Sequence, residues 1–212
     1  MTIKQKIKKT LIGATMIASL LCGNPSEAKP TGSAELMVGN TNNTLDLKLS
    51  SELTSKIILF SRNRISLDHE NQVTYFGLID LSHNIVGGLD ALIELQASAP
   101  GKGILPRFGI QYFQRINDFS LYGMTSVSLQ ENPDAEISIV LGYNPQLKDE
   151  VALTFNVENF TNFGEEGHNY SLQRLRAGLK IKRFSFGPAL DLNESADKIT
   201  YNVGGFLKID LE

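Results

Sequence analysis

Charged side chains recur at a spacing of two residues in several segments of the sequence. Arg62 and Arg64 form one such pair, and Arg174 and Arg176 form another. Residues two apart lie on the same face of a β-strand, so each pair would share one surface. Charge on an inward face must be paired, because an unpaired buried charge is costly. Two roles follow: a polar pore lining that selects solutes, or an ion-paired plug in a barrel that conducts nothing.

The candidate pore-lining set contains the charged residues on the less apolar face of the predicted strands. They are Arg62, Arg64, Glu94, Arg115, Glu136, Glu158, Arg174, Arg176 and Lys180. Asp90 shares this face. Because the set contains both signs of charge, its members can pair across a lumen.

Metal and cofactor chemistry has little support in the sequence. The three histidines, His69, His83 and His168, lie in or beside predicted turns and are too scattered to form a tetrahedral zinc site. Glu165 and Glu166 lack the Asp-rich spacing of a calcium loop. No glycine-rich phosphate-binding motif occurs between a strand and a helix. We therefore predict no metal and no cofactor.

His168 and Ser171 offer one arrangement for nucleophilic catalysis. A serine activated by a nearby histidine can carry out acyl transfer, and the pair would then resemble that of barrel lipases. A charged turn produces the same composition by chance, with Glu165 and Glu166 close by. A lipid-modifying barrel enzyme is accordingly the second alternative function.

The overall composition is that of a folded protein. The chain has 212 residues, of which 42% are hydrophobic and 20% charged, and its net charge is -3. No run of Lys or Arg occurs after the first ten residues, so no basic surface for nucleic acid is predicted.

The N-terminus is typical of a secretory signal peptide. Four lysines within the first nine residues precede an apolar run from Leu11 to Cys22, and Ser26 and Ala28 provide small residues for cleavage. The apolar run is too short to cross a bilayer. We predict a signal peptide at residues 1–28 and a single β-barrel domain at 29–212, which contains no cysteine.

The remainder alternates apolar and polar residues, and no segment sustains helical periodicity. The clearest apolar faces, none of which carries a charge, are Leu89 to Leu95, Ile137 to Tyr143, Val151 to Val157, Leu175 to Ile181 and Ile199 to Ile209. Turn-forming clusters separate these segments, including one at Asn193–Ser195. The longest connection is predicted at Asn159–Asn169. The short links favour an all-β, antiparallel up-and-down barrel of about 10 to 12 strands.

Two further features indicate that the sheet closes into a barrel with a narrow interior. Glycines recur inside predicted strands, among them Gly109, Gly142, Gly178 and Gly204, which favours a curled sheet that closes on itself. The second face mixes charges with bulky residues such as Leu92 and Met124, which suits a narrow interior.

A signal peptide followed by amphipathic strands resembles the bacterial outer-membrane β-barrels. The resemblance covers most of the mature chain and concerns architecture, not a specific family. An apolar face without charge is what lipid requires, since a charge at mid-bilayer costs about 2 to 4 kcal/mol. The resemblance implies an outer-membrane location with lipid as the partner.

We therefore predict a non-enzymatic outer-membrane envelope protein that can form a narrow passive pore for a small solute. The alternative is a soluble exported β-barrel or sandwich, periplasmic or extracellular, that binds a small apolar ligand or a partner protein. The two differ in which face contacts water, which alternation alone does not decide. The sequence does not specify an oligomeric state.

Overall fold

The computed structural model describes residues 30–98, 103–195 and 198–211. The predicted signal peptide, residues 1–28, lies outside the described residues. The strands are β1 (Thr31–Gly39), β2 (Asn42–Thr54), β3 (Ile57–Asp68), β4 (Val73–Val86), β5 (Leu89–Ser98), β6 (Ile104–Ile116), β7 (Phe119–Ser128), β8 (Ala135–Tyr143), β9 (Gln146–Lys148), β10 (Val151–Gly164), β11 (Gly167–Ile181), β12 (Phe184–Ser195) and β13 (Lys198–Leu211). No helix that could cross a membrane occurs among these residues.

The twelve long strands form one closed antiparallel ring. Each pairs with its neighbours in sequence, except that β10 pairs with β8 and β11 while the three-residue β9 pairs only with β10. Pairing of β1 with β13 closes the ring. Closure leaves no long unpaired edge, and the predicted up-and-down barrel is confirmed.

The connections between strands define the two ends of the barrel. At one end, the turn rim, four connections have two residues each: 55–56, 87–88, 117–118 and 182–183. Residues 144–150, which include β9, also lie there. The opposite end, the loop rim, carries residues 69–72 and 129–134.

Two predicted connections are wrong. The expected loop Asn159–Asn169 is mostly strand, because β10 and β11 stay paired up to Gly164 and Gly167. The expected turn at Asn193–Ser195 belongs to β12, which pairs with β13 as far as Ser195 and Lys198. In both segments backbone hydrogen bonds continue the ladder, although the polar side chains are typical of turns.

The apolar faces of the strands point outwards. Leu153 pairs with Leu179 and Val157 with Leu175, and directly paired residues share a face. Large apolar side chains on this face are exposed, with Ile93 at 58%. Buried residues are mainly polar, with 22 polar or charged against seven hydrophobic among the described residues, and all of the buried charged ones lie on the inward face. A water-soluble barrel buries its apolar face, so this arrangement argues against the soluble alternative.

Glycines allow the sheet to curl near the pairing of β1 with β13 that closes the ring, here called the seam. A Cβ atom on Gly204 would lie 1.9 Å from the Val38 carbonyl oxygen, and one on Gly178 would lie 2.0 Å from the Phe186 carbonyl oxygen. Neither position can accept a side chain without moving the neighbouring strand. Inside the barrel near this seam, Met37 and Phe206 form a small apolar cluster with Ala189.

Candidate functional site

The structure places all nine candidate pore-lining residues on the inward side of the barrel. Strand register shows this directly, since Glu158 pairs with Arg174 and Glu94 with Arg107. Arg115 and Lys180 lie near the turn rim, at the ends of β6 and β11. A role of the nine candidate residues in conduction stays a prediction.

The largest group of inward charges is a central network of nine residues from six strands. It contains the acids Glu35, Asp46, Glu158 and Asp191 and the bases Lys48, Arg62, Arg64, Arg174 and Arg176. Arg174 is its hub, with nitrogen-to-oxygen distances of 2.7 Å to Glu35, 2.6 Å to Asp46, 3.2 Å to Glu158 and 3.5 Å to Asp191. Buried charges are tolerated because each has partners of the opposite sign.

The central network crosses the lumen. Arg62 of β3 pairs with Asp46 of neighbouring β2, at 2.7 Å, and also with Glu158 of β10. Strands β3 and β10 lie six positions apart in both directions around the ring, so this second pair joins opposite walls. Arg64 reaches Asp191 of β12 at 3.1 Å. These contacts constrict the barrel at their level.

A second group of charges, the acidic cluster, lies towards the loop rim. It consists of Glu94, Arg107, Asp134 and Glu136. The Arg107 side chain is completely buried, contacts Asp134, and lies 3.5 Å from Glu136 and 3.8 Å from Glu94. Three carboxyl groups therefore face a single guanidinium in this part of the lumen.

Glu94 and Asp80 are the least satisfied groups of the lumen. They pair directly across β4 and β5 and are 0% and 3% exposed. Among the described residues, both oxygens of Glu94 and Oδ1 of Asp80 are buried without a hydrogen-bond partner. Two like charges placed opposite each other destabilise a sheet. No set of three metal-ligating side chains occurs within the described chain.

The lumen opens into a cavity of about 210 Å³, here called the vestibule, next to the turn rim. Ser33, Ser185 and Lys208 lie on its wall close to the strand ends. Asp46, Glu158, Arg174 and Arg176 of the central network form its floor. The vestibule is therefore a polar space that ends at the constriction.

Sequence reasoning missed several members of these clusters. They are Glu35, Asp46, Lys48, Asp80, Arg107, Asp134 and Asp191. The alternation rule would have found most of them: in Leu45-Asp46-Leu47-Lys48-Leu49 the leucines face outwards and the charges inwards. Arg107 was harder to recognise, because Pro106 and Gly109 interrupt the pattern around it.

The candidate acyl-transfer pair lies on the outer wall. His168 Nε2 is 2.7 Å from Ser171 Oγ, and Ser171 Oγ is 3.1 Å from Thr161 Oγ1. Phe163, which pairs with His168 in the ladder, packs edge-on against the imidazole ring. Among the described residues no group contacts Nδ1 of His168 to orient it as a catalytic base, so these polar groups mainly satisfy one another.

Comparison with solved structures identifies the kind of barrel. The KdgM porin matches with a TM-score of 0.51 and 10% identity, covering 86% of this chain and 99% of that chain. The COG4313 outer membrane channel from Pseudomonas putida F1 matches with a TM-score of 0.51 and 10% identity, covering 89% and 97%. The fold is that of the bacterial outer-membrane β-barrels. No protein-family model and no curated protein matches the chain.

Proposed function

We propose that this protein is a passive outer-membrane barrel whose lumen is a narrow channel for small solutes, constricted by the central network. The observation that carries the proposal is the vestibule, which leads from the turn rim to ion pairs joining opposite walls. A packed plug would need no such space. The fold shared with an outer membrane channel supports the passive class.

The outer wall supports a location in the outer membrane with lipid as the immediate partner. Residues such as Ile93 and Leu207 are about half exposed, at 58% and 51%, and such residues recur on most strands of the ring. An apolar belt of this extent on a soluble monomer would promote aggregation. In a bilayer the same belt contacts acyl chains, and the closed ladder satisfies the backbone polar groups.

The constriction limits conduction to small solutes. Guanidinium and carboxylate groups of the central network occupy the middle of the lumen, and Arg62 and Glu158 meet across it. Solutes pass only where these side chains leave room or exchange partners. A small conductance is expected, together with a strong dependence on the residues that cross the lumen.

Single-channel recording in planar lipid bilayers tests the proposal. The double variant Arg62→Gln with Glu158→Gln removes the crossing ion pair without leaving either charge unpaired. We expect a small conductance for the natural sequence and an increase of several-fold for the variant. The matched control replaces Lys182 and Glu150, an exposed ion pair at the turn rim, with glutamines and should leave the conductance unchanged.

Silent bilayers for both proteins, with correctly assembled barrels on a detergent gel, would contradict the channel. They would favour the alternative, in which the central network is a structural plug and the barrel conducts nothing. A conductance that did not change in the crossing variant would place the constriction elsewhere.

A further inference from the structure

The vestibule presents positive charge to water, although its floor contains both signs. Four bases line it, Lys48, Arg174, Arg176 and Lys208, against three acids. The two lysine side chains are 31% and 37% exposed, while the network arginines are almost completely buried. A solute entering from the turn rim therefore meets lysine ammonium groups first.

The acids of the vestibule are already occupied by guanidinium groups. Glu35 contacts Arg174 and Arg176 at 2.7 and 2.9 Å. Asp46 contacts Arg174 and Arg62 at 2.6 and 2.7 Å. Glu158 contacts both of these arginines as well. None of the three carboxylates depends on a lysine for its charge partner.

Lys48 and Lys208 are correspondingly less engaged. Lys48 Nζ lies 3.3 Å from Glu158, and two arginines contact that carboxylate at shorter distances. Lys208 Nζ lies 3.1 Å from Asp210, and Lys180 contacts the other oxygen of that carboxylate at 2.6 Å. Two ammonium groups thus share one carboxylate at the edge of the vestibule, which leaves positive charge in excess.

Neutral hydrogen-bonding groups complete the wall. The hydroxyl and amide side chains of Ser33, Ser120, Asn144, Thr154, Asn156 and Ser185 line the same cavity. Hydroxyl and amide groups donate hydrogen bonds to oxyanions, and bonds between charged partners are about twice as strong as neutral ones. Cations and neutral donors around about 210 Å³ form a site for a molecule of several non-hydrogen atoms.

We infer that the vestibule is a binding site for small oxyanions, bearing carboxylate or phosphate groups, with Lys48 and Lys208 as the ligand-facing charges. This inference deepens the proposed function, because it names the solute class, and it rests on that function in treating the vestibule as open to solvent. The acidic cluster beyond the constriction, with three carboxylates around Arg107, favours no anion. Anion selection therefore takes place on the turn-rim side.

Calorimetric titration of the assembled barrel in detergent tests the site without requiring conduction. Citrate and inorganic phosphate serve as probes in separate titrations, which distinguish carboxylate from phosphate ligands. We expect saturable binding of at least one probe, weakened about tenfold or more by Lys48→Gln with Lys208→Gln. The matched control, Lys182→Gln, removes an exposed lysine outside the cavity and should bind normally.

Absence of binding for both probes, or binding unchanged by the lysine double variant, would overturn the inference. Reversal potentials in a potassium chloride gradient separate it from the channel proposal. Binding without conductance would retain the anion site and reject the channel. Conductance without lysine-dependent binding would retain the channel and reject the site.

Discussion

Arg62 on β3 forms an ion pair with Glu158 on β10, directly across the barrel. Arg174, from the strand beside β10, contacts Glu158 at 3.2 Å and Asp46 at 2.6 Å, so the crossing pair belongs to a continuous set of contacts. Opposite walls are therefore held together by side chains as well as by the closed ladder. The same contacts fix the width of the lumen and constrict it.

The coupling between Arg62 and Glu158 is measurable by a double-mutant cycle. Gln substitutions, singly and together, should give a coupling of about 0.5 to 3 kcal/mol in the free energy of unfolding, because the residues share one buried network. Reversible urea unfolding in lipid vesicles provides the measurement. The exposed Lys182–Glu150 pair should give no measurable coupling. Additive effects of the two buried substitutions would contradict the crossing contact.

Substitutions at two members of the acidic cluster should affect the free energy of unfolding differently. Arg107→Ala leaves three carboxylates without their guanidinium and should lower the free energy of unfolding by about 3 to 5 kcal/mol. Glu94→Gln replaces a buried carboxyl group whose oxygens lack hydrogen-bond partners in the described structure, so stability should stay the same or rise. The same urea unfolding assay compares both variants. A large loss for Glu94→Gln would show that this carboxylate has a partner of its own.

A charged side chain on the outward face, in the middle of a strand, should prevent the barrel from assembling in the membrane. Ile93→Arg places a guanidinium on the outward face of β5, halfway along the strand, at a cost of about 2 to 4 kcal/mol at the bilayer centre. Membrane fractions should then contain much less assembled barrel. Glu194→Arg is the control, because Glu194 already places a charge near the loop end of β12. Normal assembly of the Ile93 variant would argue against contact with lipid.

The sequence predicted the fold and the faces of the strands because both depend on local alternation. Leu153 and Ile93 were assigned to the uncharged face and lie outwards, while Arg62 and Glu158 lie inwards. Alternation is a property of each strand alone, so it survives uncertainty about strand boundaries. The inward position of the charged candidates was thus accessible from the sequence.

The partners of those charges were not predictable. Whether Arg62 meets Glu158 depends on the number of strands in the ring and on the register of every pair between them. The extent of β10 and β11 was also misjudged, because Asn159 and Thr161 have turn-like side chains but lie in a paired ladder. Long-range register, rather than local composition, decides both features.

Two glycines offer a matched test of how the seam closes. Gly204→Ala would place a methyl group 1.9 Å from the Val38 carbonyl oxygen across the β1–β13 pairing. We expect poor closure, seen as loss of the compact, heat-sensitive band on a detergent gel. Gly123→Ala makes the same change on the outward face, where no atom lies within 4 Å of the added carbon. Equal behaviour of the two variants would contradict the tight seam.

The central claim is that the apolar wall faces lipid and the charged wall faces the lumen. It is tested most directly by single cysteines along β10, at Leu153, Thr154, Phe155, Asn156 and Val157, with Cys22 replaced by serine. Each carries a spin label in a barrel reconstituted in vesicles, and its collision rate with oxygen is compared with that of a polar nickel complex. We predict preferential contact with oxygen at 153, 155 and 157 but not at 154 and 156. Preferential contact with oxygen at 154 and 156 instead, or no difference between neighbouring positions, would contradict the claim.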